Sequence, residues 1–189
     1  VVVISGANRG IGLAIAKEFQ ANGYRLSLGA RDPAQLVEAL GPETDRLHYG
    51  RFDALEPKSA AEWIEAAVAK FGRIDALINN AGSGERVSLM DDDDEALDRL
   101  WAINVKAPLR LTRLCMPHLE TTGRGRIVNI ASLSGKRVRN PFVGYNMTKY
   151  AVMGLTHTTR HVGWEKGVRA TAVCPSFVRT EMSSYTQKV

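Results

Sequence analysis

The chain has 189 residues, 44% of them hydrophobic and 24% charged, with a formal net charge of +5. These values are typical of one globular domain with a sizeable core, and they exclude disordered and collagen-like chains. No apolar run could span a bilayer, no signal peptide is visible, and the basic residues are scattered. We therefore expect a cytoplasmic protein that binds neither membrane nor nucleic acid.

Short β-branched segments alternate with longer helical patterns along the whole chain. Strands are predicted at 1–5, 25–30, 47–52, 74–79, 126–132 and 168–174. Helices are predicted at 11–21, 33–40, 58–71, 94–119 and 144–165. Because the apolar strands do not alternate, they are typical of a parallel sheet buried on both faces. The pattern predicts one α/β domain over 1–189, a doubly wound, Rossmann-like parallel sheet in three α/β/α layers.

Several residues mark where the helices begin and end. Asp32 is an expected N-cap before Pro33, and Gly23 and Gly72 are expected to end the helices that precede them. The acidic run at 91–95 suits the start of a helix, where negative charge is favourable.

A glycine-rich turn, SGANRGIG, follows the first strand and leads into the first helix. Gly6, Gly10 and Gly12 let the backbone approach a pyrophosphate, and the helix N-terminus offers free N–H groups to an anion. Such a turn can also be no more than a tight loop. Its place between a strand and a helix favours a dinucleotide site.

Ser132, Tyr145 and Lys149 carry the main chemical signal. Tyr145 and Lys149 stand four residues apart in YNMTK, so they share one helix face. A phenol has a pKa of about 10, which a neighbouring cation lowers. A serine hydroxyl at a strand end could hold the oxygen of a carbonyl or alcohol. The alternative is that Tyr145 and Lys149 are merely surface neighbours.

Neither the cysteines nor the histidines form a metal signature. Cys115 and Cys174 are isolated, and His157 and His161 share a helix face without an apparent third ligand. We therefore expect reduced cysteines and no bound metal.

Together these motifs resemble those of the short-chain dehydrogenase/reductase family, in its compact single-domain branch. SGANRGIG is similar to the family's T-G-x-x-x-G-x-G turn, with Ser5 in place of Thr. Other family motifs are matched by NNAG at 79–82, by Asn104 in WAINVKAP, by Ser132 and by the Y-x-x-x-K pair. Asp53 matches an acid that lies near the adenine in the family. The resemblance covers essentially the whole chain.

The resemblance implies a set of catalytic roles. Tyr145 would be the general acid in reduction and the general base in oxidation, and Lys149 would lower its pKa and bind the nicotinamide ribose. Ser132 would hold the substrate oxygen. The Asn104 backbone carbonyl would accept a hydrogen bond from a water that links to Lys149. Pro108 has no N–H to donate, so it would leave the Asn104 carbonyl free for that water. The alternative is that Pro108 merely kinks a long helix.

The cofactor contacts follow from the same resemblance and from the charge pattern. They are assigned to Gly6, Arg9, Gly10, Ile11, Gly12, Arg31, Asp53, Ala54, Asn80, Ala81, Gly82, Tyr145, Lys149, Pro175, Val178 and Thr180. Ala30 stands where an acid would bind the ribose 2′-hydroxyl of NAD, and Arg31 and Arg9 suit the 2′-phosphate of NADP. NADP(H) is therefore favoured, and NAD(H) is left open because Asp32 lies nearby.

The chain departs from the family pattern in two ways. Pro175-Ser176 replaces the usual Pro-Gly, which affects the backbone beside the nicotinamide. The chain also stops at Val189, so we expect the substrate-covering segment and the C-terminal strand to be missing. Because no initiator Met is present, we expect the first residues of the protein to be missing as well.

The predicted function is interconversion of a ketone and a secondary alcohol. An acyl thioester on an acidic carrier would suit Lys166, Arg126 and the net positive charge, and a small carbonyl, sugar or polyol is equally compatible. A cofactor-sensing binding protein without turnover is the alternative. An extended-branch epimerase is disfavoured by the glycine spacing.

A homodimer or homotetramer is expected through the helices at 94–119 and 144–165. Both carry apolar residues, namely Leu97, Leu100, Trp101, Val152 and Leu155.

Overall fold

A computed structural model describes residues 1–184, with side chains through residue 182. In this part of the chain, strands and helices alternate as predicted, and the α/β fold class is confirmed. The strands are β1 Val2–Ser5, β2 Leu26–Ala30, β3 Leu47–Arg51, β4 Ala76–Asn79, β5 Arg126–Ile130 and β6 Arg169–Val173. The helices are α1 Gly10–Ala21, α2 Ala34–Leu40, α3 Pro57–Phe71, α4 Asp94–Trp101, α5 Ala107–Thr121, α6 Val143–Gly163 and α7 Glu181–Ser184.

The described strands form one parallel sheet in the order β3-β2-β1-β4-β5-β6. The order reverses between β1 and β4, which are neighbours in the sheet although two strands separate them in the chain. In open α/β sheets a ligand binds in the crevice outside the carboxyl ends of the strands at such a reversal. The topology therefore places the candidate site where the glycine turn leaves β1 and NNAG leaves β4.

The apolar core lies on both faces of the sheet, as the uninterrupted apolar strands predict. On one face Val3 and Leu77 pack with residues of α3 and α5, including Trp63 and Leu111. On the other face Val2, Ile4 and Leu28 pack with Ala16 of α1 and Leu36 of α2. Burial of these side chains supplies the main driving force for the three-layer arrangement.

Trp63 of α3 packs against the sheet at two glycines. A Cβ added to Gly50 would lie 1.9 Å from Trp63 Cδ1, and one added to Gly29 would lie 2.6 Å from Cη2. The indole Nε1 donates a hydrogen bond of 2.9 Å to Ser27, whose hydroxyl also bonds His48 Nδ1 at 2.9 Å. Trp63 is therefore a packing residue, and the glycines make room for it.

The predicted helix over 94–119 is continuous but contains a π-helical turn, Ala102–Lys106, between α4 and α5. The Ala107 N–H bonds the carbonyl of Ala102, five residues earlier. Pro108 follows directly, and in a regular helix its ring would clash with the Asn104 carbonyl. The wider turn relieves that clash, so Pro108 shapes the backbone at Asn104.

The helix ends agree with the turn residues. Asp32 Oδ1 accepts a hydrogen bond of 3.0 Å from Ala34 N at the start of α2, which confirms its capping role. Gly23 and Gly72 follow α1 and α3 with φ of 76° and 72°, a conformation that favours glycine. A 3₁₀ turn, Leu133–Gly135, and the short helix α7 are absent from the sequence prediction.

Two of the apolar residues expected at an oligomer interface face the core instead. Leu100 is 0% exposed and Val152 is 3% exposed, so neither is available to a partner. The exposed apolar residues of α6 are Met147, Tyr150 and Val162. The expected interface residues are therefore wrong at these two positions, because helical periodicity does not say which apolar face packs inward.

Within residues 1–184, no helix combines the length and apolar character that crossing a membrane requires. In the same range, no three histidine, cysteine, aspartate or glutamate side chains are grouped as metal ligands.

Candidate active site

The chain segments that follow four strands meet at the carboxyl edge of the sheet. The glycine turn follows β1, NNAG overlaps the end of β4, Ser132 follows β5 and Pro175 follows β6. Parallel strands bring these segments together although the sequence separates them widely. Hydrogen bonds join the last pair, since Ala131 N donates to Val173 O and Leu133 N donates to Pro175 O.

The glycine turn is clamped to NNAG. Ser5 Oγ accepts hydrogen bonds of 3.1 Å from the N–H groups of Asn80 and Ala81. Asn80 Nδ2 in turn donates to the carbonyls of Ser5 at 3.1 Å and Gly6 at 2.9 Å. The serine that replaces the usual threonine therefore retains a hydroxyl that binds the second motif. Asn80 and Ala81 thus position the turn.

Close approach explains two of the motif glycines. A Cβ on Gly12 would lie 2.2 Å from Gly6 O and 2.3 Å from Asn80 Nδ2. Gly6 itself has φ of 66°, and its added Cβ would lie 2.9 Å from the Ala81 Cα. The turn leaves the N-terminus of α1 directed at the crevice, where N–H groups and the helix dipole favour a pyrophosphate. These residues fit a dinucleotide.

The remaining cofactor residues lie along the turn and the segment after β6. A cavity of about 610 Å³ runs along α1, from Gly10 and Ile11 to Phe19, and its other wall is formed by Pro175 and residues 178–180. Five of the predicted cofactor residues are therefore brought together.

At the far end of the crevice, beyond β2 and β3, charged and polar residues are more open. Arg31 is exposed next to the buried Ala30. Asp53 is half-buried, and its Oδ1 accepts a hydrogen bond of 2.9 Å from Leu55 N. The Ala54 carbonyl accepts a hydrogen bond of 3.4 Å from Arg110. The two loops therefore have the polar character that the adenosine end of a dinucleotide requires.

Ser132 is held in extended backbone at the end of β5, with φ of −169°. Its Oγ accepts a hydrogen bond of 3.1 Å from Ser134 N. The Ser132 side chain is also close enough to Tyr145 to lower the pKa of the phenol, so the structure brings the serine and the tyrosine together.

Burial raises the pKa of Tyr145, and the hydrogen bond with Ser132 lowers it by a smaller amount. Lys149 is not among the causes of the shift, although its Nζ lies 5.5 Å from the centre of the tyrosine ring. The expectation that Lys149 lowers the Tyr145 pKa is therefore wrong for the protein by itself. Desolvation penalises the phenolate more than the Ser132 side chain favours it.

Lys149 is buried, with 8% of its surface exposed. Burial lowers its pKa from 10.5 to about 8, against a smaller upward effect of Cys174. Its Nζ donates a hydrogen bond of 3.2 Å to Ile130 O and lies close to the backbone of Gly82. The lysine is thus no surface neighbour, and it faces the junction between Tyr145 and the loop after β4.

Asn104, in the π-helical turn, ties three parts of the site together. Its Oδ1 accepts a hydrogen bond of 2.8 Å from Ser83 N, and its Nδ2 donates to Ser83 O at 3.0 Å. The same Nδ2 donates to Thr148 Oγ1 at 3.1 Å, and that hydroxyl donates to the Tyr145 carbonyl at 2.8 Å. Asn104 therefore fixes α6 against the loop that continues NNAG.

Asn140 is a site residue that sequence reasoning missed. Its Nδ2 donates to Ser134 Oγ at 3.1 Å, its Oδ1 accepts from Phe142 N at 3.0 Å, and its carbonyl accepts from Asn146 Nδ2 at 3.2 Å. It thereby holds the loop between Ser132 and Tyr145. The run N-P before a helix is a turn signal that could have drawn attention to it.

The basic residues considered for an acidic carrier lie elsewhere. Arg126 opens β5 at the amino edge of the sheet and donates to the carbonyls of Gly125 and Gly167. Lys166 pairs with Glu120 at 3.0 Å. Both residues lie at the strand end opposite to Ser132, so neither lines the candidate site, and their role towards a carrier stays a prediction.

Comparison with known proteins agrees with this geometry. The family described as short chain dehydrogenase matches residues 1–188. The chain belongs to the short-chain dehydrogenase family. Membership confirms the resemblance stated from the motifs.

One relative is the agropine synthesis reductase of Rhizobium rhizogenes, which is 59% identical over 190 residues, covering all of this chain and 44% of that protein. The chain thus spans less than half the length of that relative.

A crystal structure of the 3-ketoacyl-(acyl-carrier-protein) reductase from Brucella melitensis complexed with NADH matches with a TM-score of 0.91 and 29% identity, covering 97% of this chain and 78% of that one. The structure of ElxO with NADP bound has a TM-score of 0.89 and 27% identity, covering 98% of this chain and 77% of that one.

Proposed function

We propose that this short-chain dehydrogenase is an NADP(H)-dependent oxidoreductase that interconverts a ketone and a secondary alcohol, with Tyr145 as the general acid and base. The observation that carries the proposal is the grouping of Ser132, Tyr145 and the buried Lys149: the Ser132 side chain acts on the pKa of the phenol, and Lys149 Nζ lies 5.5 Å from the centre of the phenol ring. These groups stand at the carboxyl edge of the sheet, beside the glycine turn that fits a dinucleotide.

The protonation of Tyr145 favours the reductive direction. Because burial raises its pKa, Tyr145 is a neutral phenol near pH 7 and can donate a proton to a substrate oxygen. Ser132 holds that oxygen and stabilises the negative charge that develops on it. Lys149 would bind the nicotinamide ribose, and it supplies positive charge beside the phenol as the proton leaves. The dinucleotide, when bound, supplies or accepts the hydride.

The preference for NADP(H) rests on the charges at the end of β2 and in the glycine turn. Ala30 offers no carboxylate to a ribose 2′-hydroxyl, whereas Arg9 and Arg31 are exposed guanidinium groups that match a phosphate. Asp32 Oδ1 is engaged in capping α2. Structural relatives carry NADH in one case and NADP in the other.

The substrate class follows from the site and from the names of relatives. The Rhizobium relative is a reductase by name, which supports reduction of a carbonyl group as the working direction. The Brucella relative is named for a 3-ketoacyl group on an acyl carrier protein, which keeps an acyl thioester among the candidates. A small carbonyl, sugar or polyol remains equally compatible.

We also propose a cytoplasmic homodimer or homotetramer built as one domain. Cys115 and Cys174 are free thiols, which suits a reducing compartment. Met147 and Tyr150 on the outer face of α6 are 43% and 45% exposed and would lie in the interface. Sedimentation that shows only monomer at micromolar concentration would contradict the assembly.

The test is absorbance at 340 nm with NADPH or NADH against a panel of ketones that includes sugars and 3-oxoacyl thioesters. We expect turnover with NADPH and a loss of at least about 100-fold in Tyr145→Phe, the lower range for a general acid. Tyr150→Phe is the matched control, because this tyrosine also lies on α6 but is 45% exposed. Equal activity of both variants would refute the role of Tyr145.

The competing candidate is an NADP(H)-sensing protein without turnover. The complete set of Ser132, Tyr145 and Lys149 argues against it, since sensing requires no proton donor. Tight dinucleotide binding without turnover on the whole panel, in either direction, would favour the sensor. Arg31→Asp tests the choice of cofactor, and an unchanged preference would contradict the role given to Arg31.

A further inference from the structure

An ion pair joins the glycine turn to α7. Arg9 Nη1 lies 2.6 Å from Glu181 Oε2, although 172 positions separate the two residues in the chain. The side chains are 56% and 64% exposed, so the pair lies where a ligand can reach it. Nothing in the local sequence around either residue indicates this contact.

The neighbours of Glu181 hold it against the turn. An added Cβ on Gly10 would lie 3.4 Å from Thr180 Cγ2, and one on Gly84 would lie 3.2 Å from Met182 Cγ. Gly10 belongs to the turn after β1, and Gly84 belongs to the loop after β4. The segment 180–182 therefore rests on both sides of the crevice, and Glu181 lies at its centre, facing Arg9.

The cavity beside the pair contains charges of both signs. It measures about 500 Å³ and is lined by Asn8, Arg9, Gln35, Glu38, Ala39 and Glu181. Asn8 Nδ2 donates a hydrogen bond of 2.6 Å to Gln35 Oε1, which ties the turn to α2. An anion that approaches Arg9 from this side therefore also meets two carboxylates, of which Glu181 is the one paired with the guanidinium.

We propose that Glu181 determines cofactor specificity by competing with a 2′-phosphate for Arg9. The inference rests on the proposed binding of NADP(H) and goes beyond it. A phosphate receives two parallel hydrogen bonds from a guanidinium and carries more charge than a carboxylate, so it displaces Glu181. NAD(H) has no group for Arg9, and the ion pair persists when it binds.

Two consequences follow from the competition. Glu181 lowers the affinity for NADP(H) and leaves the affinity for NAD(H) unchanged, so it narrows the discrimination between the two cofactors. Release of Glu181 also breaks the ion pair between the segment 180–182 and the turn, so this ion pair is present with NAD(H) bound and absent with NADP(H) bound.

The test is a comparison of dissociation constants for NADPH and NADH, measured by fluorescence titration, in wild type, Glu181→Gln, Arg9→Ala and the double variant. Because an exposed ion pair is weak, we expect Glu181→Gln to lower the Kd for NADPH by about two- to fivefold and to leave that for NADH within about 1.5-fold. In the Arg9→Ala background the effect of Glu181→Gln should disappear. Adenosine 2′,5′-bisphosphate and AMP, titrated in parallel, test the same contact without the nicotinamide.

Glu38→Gln is the matched control, since it removes a second carboxylate that lines the same cavity. Three results would overturn the proposal in favour of a general charge effect. These are an equal decrease in Kd for NADPH and NADH in Glu181→Gln, a decrease of the same size in Glu38→Gln, and a decrease that persists in the Arg9→Ala background. An unchanged Kd in Glu181→Gln would overturn it as well. If neither dinucleotide binds wild type, the proposed function fails together with the inference, whereas binding without an effect of Glu181 removes the inference alone.

Discussion

Replacing Lys149 with methionine should stabilise the folded protein while removing its proposed activity. Burial lowers the pKa of Lys149 from 10.5 to about 8. Because each pKa unit corresponds to about 1.4 kcal/mol, the buried ammonium costs the folded state about 3 kcal/mol near neutrality. Methionine fills a similar volume without a charge, but it leaves the Ile130 carbonyl without its donor, at a cost of about 1 kcal/mol. The expected net gain at pH 7 is about 2 kcal/mol.

The gain depends on pH in a defined direction. The folded-state pKa of Lys149 lies below the unfolded value, so between pH 8 and 10.5 the unfolded chain binds more protons than the folded protein. The stability of the wild type therefore rises with pH across this window, whereas that of Lys149→Met does not. We expect the advantage of the variant to shrink by about 2 kcal/mol between pH 7 and pH 10.

The assay is urea unfolding of the purified protein, without added dinucleotide, at several pH values from 7 to 10. Lys58→Met is the control, because the Lys58 side chain is 88% exposed and its loss should change stability by no more than about 0.5 kcal/mol. The reasoning from desolvation would be refuted if Lys149→Met were no more stable than wild type at pH 7. It would also be refuted if the difference in free energy of unfolding between the two proteins were the same at pH 10 as at pH 7.

Three further predictions concern glycines and a histidine. Gly12→Ala should weaken dinucleotide binding at least about tenfold in a fluorescence titration, because its Cβ would lie 2.2 Å from a backbone carbonyl of the turn; unchanged affinity would contradict the close approach. Gly50→Ala should lower the free energy of unfolding by about 2 kcal/mol through its clash with Trp63, whereas Gly154→Ala, with open space around it in α6, should raise it by up to about 1 kcal/mol. Burial lowers the pKa of His48, so stability should be complete above about pH 6.5 and fall as the pH drops below it. His48→Gln should lessen that fall in thermal melts at pH 7.5 and 5.5, and an identical fall would contradict the assignment.

Most of the site could be predicted because its residues stand in local motifs. Gly12 and Asn80 belong to short runs whose spacing is set by a tight turn and a strand end. Tyr145 and Lys149 share a helix face through a spacing of one turn. In each case the physical requirement lies within a few residues of the chain, so the sequence shows it directly.

Other parts of the site depend on contacts between distant segments. Asn140 belongs to none of the motifs from which the site was predicted. Its three hydrogen bonds join the loop after β5 to the start of α6. Glu181 meets Arg9 only because the parallel sheet returns the chain to the same edge. Leu100 is part of an apolar stripe, and only packing shows that the stripe faces the core.

The sequence by itself determined the class of fold and the proposed catalytic set, because hydrophobic period, turn residues and motif spacing are local properties. Only the tertiary structure decided the protonation of that set. The spacing of Tyr145 and Lys149 predicts a lowered phenol pKa, but burial raises the pKa of Tyr145 and lowers that of Lys149. Desolvation depends on how many atoms from the whole fold surround a group, and no local pattern contains that number.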